Sequence, residues 1–147
     1  MKKTLCSFVL VASSLLMAGA SMAQTAPKDD QLYKAFGEKA GLVSLMDDFM
    51  IRLLADPRTG PHFKPSNQQR VKDQLVDQLC ALGGGPCVYK GVDMKNAHAN
   101  LDIKKSDFHA LVEVLQKSMD AKGIAFSTQN QMLALLAPMH RDIITVR

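Results

Sequence analysis

Tryptophan is absent from this chain of 147 residues, and two tyrosines and six phenylalanines bring its aromatic content to only 5%. A core can still form, but with so few aromatics it leaves room for a flat apolar guest, to which flexible methionines adapt. Cysteine is scarce too: there are three, and neither they nor the four histidines form a second ligand pair near any histidine at zinc spacing, which disfavours a tetrahedral zinc site. Alternating strand patterns, internal repeats and low-complexity stretches are lacking. No segment approaches the roughly 18 apolar residues of a membrane span.

What is present begins with a targeting segment. Lys2 and Lys3 precede an apolar run from Leu5 to Ala18, and Ser21-Met22-Ala23 supplies a small-x-small cleavage site. The expectation is a secretory signal peptide over 1–23, directing the protein across the inner membrane to the periplasm. Without a cysteine at the cleavage region, a lipid-anchored form is not expected, nor is a stable membrane anchor. Residues 24–30 read as a disordered polar lead-in.

The leader also explains the basic balance. It carries Lys2 and Lys3 and no acid, so the formal charge of +4 falls by two once it is removed. The remaining basic residues are scattered and not interleaved with aromatics, so nucleic acid is a poor partner.

Four amphipathic stretches follow a short turn at Leu32, Tyr33 and Phe36. From Gly41 to Ala55, Leu42, Leu45, Met46, Phe49 and Leu53 recur at helical steps until Asp56-Pro57. Arg58 to Asn67, with Gly60, Pro61 and Pro65, reads as an irregular connection holding Phe63. Asn67 caps a helix to Leu82 with the stripe Val71, Leu75, Leu79 and Leu82, flanked by Gln74 and Gln78. Those amides are either boundary residues or the lining of a ligand pocket. Phe108, Leu111, Val112, Leu115 and Met119 mark a third helix ended by Gly123. Ser127 is expected to cap a fourth, with Met132, Leu135, Leu136, Met139 and Ile143 on one face and a bend at Pro138. The fold class is all-α.

The segment from Leu79 to Ile103 is the most unusual. Gly83, Gly84, Gly85 and Pro86 must end the helix before them, and His98 then sits on a short helical piece among Met94, Ala97 and Leu101. Such a histidine is either a core residue satisfied by a carbonyl or an axial ligand of haem iron. Cys80 and Cys87 bracket the glycine turn. In an oxidising compartment such an even pair is expected to close a disulfide, once the leader has taken Cys6 with it.

Four pieces together resemble a known family: LYKAFGEKAGLVSLMDDF with RLLADPR, HF at Phe63, GGPCVYKGVDMKNAH ending at His98, and LLAPMHRDI. The third is the most specific, similar to the Gly-Gly-Pro, Tyr-x-Gly, Met-x-x-x-His run of the group I truncated haemoglobins. The resemblance covers Leu32 to Ile144 and implies a two-over-two helical sandwich over 31–147, holding haem b with His98 as the iron ligand. It further implies that Phe63 packs on the haem face, that Val71, Gln74, Leu75 and Gln78 border the sixth coordination site, and that Met94 and Phe108 line the proximal and lateral walls.

The departures from that pattern matter as well. Met50 stands where many members place a tyrosine that hydrogen-bonds oxygen, and Leu75 is apolar where a polar residue is common, so any donor shifts to Gln74 or Gln78. His140 matches a histidine that a few members bond to a haem vinyl group, against the plainer reading of an exposed helix residue. The lack of Cys-x-x-Cys-His excludes thioether attachment. The implied function is reversible binding of a diatomic ligand, oxygen or nitric oxide. Two other readings stay open: nitric oxide dioxygenation or peroxide reduction, which need an electron donor, and a haem-free helical binding module.

Overall fold

The computed structural model describes residues 29–146, which are helical with no strand among them. The expected leader over 1–23 lies outside the described residues, as does most of the lead-in. The last two residues of that lead-in contact the helix that follows. Asp29 Oδ1 accepts the Gln31 backbone N–H at 3.0 Å, and Asp30 pairs with Lys34 at 2.9 Å. These carboxylates satisfy and flank the free amides that open α1 (Gln31–Ala35).

The scaffold is set by α2 (Glu38–Ala55), whose Leu42, Leu45, Met46, Phe49, Met50 and Leu53 are all buried. It packs chiefly against α4 (Gln68–Leu82) and α6 (Lys105–Ala121). With α7 (Phe126–Leu136) lying across α4 and α6, two helices stack over two. Met119, Val114 and Met132 complete the core from the lower pair. Asn67 caps α4 as expected, its side chain accepting the Arg70 amide at 3.0 Å.

Two local features differ from the sequence expectations, and the bend expected at Pro138 is present. Arg58 to Asn67 is not wholly irregular: Gly60–Phe63 forms a one-turn helix, α3, with a proline in its first turn, where the missing donor has no intrahelical role. Arg58 steadies it by reaching both Asp56 and Glu113 at 2.8 Å, and its hydrogen bonds hold the Asp56 carboxyl down to about 2. Ser127 does not cap α7, which begins at Phe126 with Ala125 in the cap position. The buried Gln129 amide instead ties that turn to α6, donating to Asp120 Oδ1 and the Ile124 carbonyl at 2.8 Å each. At Pro138 the helix tightens into a 3₁₀ turn (Ala137–Met139) and resumes as the single turn α8 (His140–Ile143).

The glycine turn after α4 joins the chain's start to its centre. Gly84 has φ +87°, and a Cβ there would run into the Asp29 carbonyl. Gly84→Ala is therefore expected to cost at least the roughly 1–3 kcal/mol of a left-handed non-glycine residue. Urea unfolding of the apo-protein checks this; a loss under about 0.5 kcal/mol, the range of an inert surface change, would contradict it. Beside that turn the Cys80 and Cys87 sulfurs lie at disulfide distance, 2.05 Å, with Cα atoms 5.7 Å apart.

Candidate functional site

The histidine-bearing segment is shaped by short-range chemistry. Asp93 accepts the Asn96 backbone N–H at 2.9 Å and starts α5 (Met94–Ala97), while those hydrogen bonds from Asn96 hold its carboxyl below the usual range. Just upstream, the Tyr89 hydroxyl donates to the Val92 carbonyl at 2.8 Å. Burial pushes that phenol up from its ordinary value. The Tyr89 ring lies where a side chain on residue 91 would stand, and Gly91 has none. His98 closes α5 as its C-terminal cap residue.

The tautomer of His98 follows from its partner. Nδ1 lies 2.8 Å from the Met94 carbonyl oxygen, which can only accept, so Nδ1 carries the proton. Nε2 is left with its lone pair, the state in which imidazole ligates a metal.

That ring borders a cavity of about 710 Å³ between α4, α5, α6 and the C-terminal turns, within the roughly 300–1,000 Å³ of small-molecule and cofactor sites. Phe63, Met94 and Phe108 share its wall with His98. Val71, Gln74, Leu75 and Gln78 enter from α4. Met50 does not join them: it is buried, 4% exposed, but α2 presents Met46 and Phe49 to the cavity. On a helix of about 100° per residue, Met50 is a third of a turn from Phe49, on the far side of Met46. His140 is exposed and also outside the lining, with Nδ1 2.9 Å from the Ala137 carbonyl.

The two α4 amides part company. The Gln78 side chain is 7% exposed, and its Nε2 donates to Met139 Sδ at 3.4 Å and Met94 Sδ at 3.8 Å. It thus faces the elements that carry and cover His98. Gln74 is half-buried on the same wall and makes no hydrogen bond with its side chain among the described residues. Sequence reasoning did not single out Tyr89, Ile103, Leu133 or Met139 as lining. Met139 carried only an ordinary helical stripe, Leu133 fell outside that stripe, and Tyr89 offered no local signal beyond the glycine two residues on.

A large apolar cavity bordered by three histidines, of which His98 has Nδ1 tied back to a carbonyl and Nε2 free, and no competing cluster of metal-binding side chains among the described residues fit haem iron held by a single histidine. A model of the bacterial-like globin family matches residues 31–145. The group 1 truncated hemoglobin of Tetrahymena thermophila is 31% identical over 117 residues, 80% of this chain and 97% of that protein. The chain belongs to the group 1 truncated haemoglobins. The group 1 truncated hemoglobin GlbN of Mycolicibacterium paratuberculosis is similar at 29% identity, covering 78% of this chain and 84% of its own. The crystal structure of the truncated hemoglobin of Tetrahymena pyriformis in the Fe(III) form superposes with a TM-score of 0.73 at 26% identity, covering 77% of this chain and 97% of that one. Like other globins, this truncated haemoglobin binds haem iron and, through it, a diatomic gas. Its two-over-two stack of helices is the fold of that group.

Proposed function

We propose that this truncated haemoglobin binds haem b non-covalently through His98 Nε2 and takes up oxygen or nitric oxide reversibly. The observation that carries the assignment is the 2.8 Å bond from His98 Nδ1 to the Met94 carbonyl, which fixes the tautomer and aims the other nitrogen for ligation. When bound, the haem supplies an open iron coordination site for the gas. The chain supplies the rest: Phe63 and Phe108 wall the cavity, Val71 and Leu75 keep it apolar, and Gln74 offers a donor. Purified protein with a reductant, given either nitric oxide with oxygen or peroxide, separates binding from turnover. Saturable gas uptake without sustained consumption supports a binder, whereas steady consumption of nitric oxide or peroxide would make it an enzyme fed by an electron donor.

We further propose that the protein works in the periplasm, with residues 1–23 removed and Cys80 bonded to Cys87. Support comes from the leader pattern and from two sulfurs at bonding distance, a pairing that an oxidising compartment preserves. Closing so short a loop stabilises by about 2–3 kcal/mol in the chain-entropy view. Thiol titration of the exported protein, unfolded without reductant, is expected to find no free sulfhydryl. Two titratable thiols would reject the bridge.

A further inference from the structure

Gln78 is a primary amide more than nine-tenths buried in the cavity wall, and its NH₂ group meets two thioether sulfurs, not an oxygen. Thioethers are weak acceptors, so these contacts contribute little energy for a buried amide. What they do is geometric. One reaches Met139 on the 3₁₀ turn after α7 and the other Met94 on α5. Met94 is then gripped twice, at its sulfur by Gln78 and at its carbonyl by the His98 ring.

We infer that Gln78 is a positioning residue for the iron ligand, acting through Met94, and that it does not donate to the gas. This rests on the assignment of His98 as that ligand. The chain of contacts runs from Gln78 Nε2 to Met94 Sδ, along Met94 to its carbonyl, and from there to the Nδ1–H of His98. A hydrogen bond accepted from the far nitrogen of a ligating imidazole fixes the ring's orientation and raises its basicity. An amide that steadies the accepting residue therefore acts on the strength of the iron–histidine bond. Gln74, one turn earlier and not engaged with these sulfurs, is left as the polar group of α4 free to face the gas.

The test compares Gln78→Leu and Met139→Leu with the wild-type protein in the haem-loaded, ferrous state. Resonance Raman reads the iron–histidine stretch, infrared reads the C–O stretch of added carbon monoxide, and haem transfer to an acceptor protein reads retention. Both variants are expected to lower the iron–histidine frequency and to speed haem loss about tenfold, at the low end for partners of a metal-ligating histidine. The C–O stretch should stay at its wild-type position, as for a group that does not donate to the gas. Met139→Leu keeps the volume and removes one acceptor, so it carries the test alone if Gln78→Leu does not fold. An unmoved iron–histidine stretch, or a shifted C–O stretch in Gln78→Leu, would overturn the proposal. A wild-type protein without a Soret band would overturn the haem reading itself before any variant is compared.

Discussion

His98→Leu is expected to abolish the iron–histidine stretch and to weaken haem retention more than a hundredfold. Loss of a group that merely hydrogen-bonds a metal-ligating histidine costs about 10–100-fold in affinity, and here the ligand itself goes. The cavity that remains is still apolar, so some hydrophobic association with haem should persist without its coordination. No other histidine can substitute easily. His62 and His109 also border the cavity, but His62 Nε2 lies 3.8 Å from the Asp107 carboxylate and His109 is exposed; His140 is exposed and outside the lining. Haem transfer to a stronger acceptor, followed by Soret absorbance, measures the loss. Retention within about threefold of wild type, inside the scatter of such energies, would remove His98 from the site.

Gln74→Leu is expected to speed oxygen release by ten- to a hundredfold. Oxygen gains partial negative charge on binding, and a hydrogen bond to such an acceptor is worth about 1.5–3 kcal/mol, each 1.4 kcal/mol being about tenfold. The structure narrows the candidates for that donor. Met50 has none, and Val71 and Leu75 are apolar. Gln78 is turned to Met94 and Met139. Carbon monoxide is less polar, and its release should change by less than about threefold, which separates a lost hydrogen bond from a disturbed cavity. Stopped-flow displacement with both gases decides the matter, and equal acceleration of the two would point to general loosening.

Much of the fold was written in local spacing. The stripe of α2 runs from Leu42 to Leu53 and is buried along its length, because that helix is covered on one broad face by α4 and α6. On α4, α6 and α7 the stripes were right in kind but divided in use. Leu79, Met119 and Met132 enter the core, while Leu75, Val112 and Leu136 face the cavity. An apolar side chain looks the same in sequence whether it meets another side chain or a flat guest. The position of His98 was legible from the glycine turn and the short helical piece behind it, but its tautomer was not. That depends on a carbonyl brought back by one turn of α5. Met50 is buried on α2 outside the cavity lining, and its match to a tyrosine position says nothing about which residues of α2 present themselves to the cavity. Gln74 and Gln78 look equivalent one turn apart, and only the arrival of Met94 and Met139 distinguishes them.

Titration of haem into purified apo-protein, followed by reduction and repeated cycles of carbon monoxide addition and photolysis, tests the assignment most directly. The expected result is saturation at one haem per chain, a ferrous iron–histidine stretch that disappears in His98→Leu, and full return of the gas-free spectrum after each flash. Non-saturating uptake, or an iron–histidine stretch that survives in His98→Leu, would contradict it.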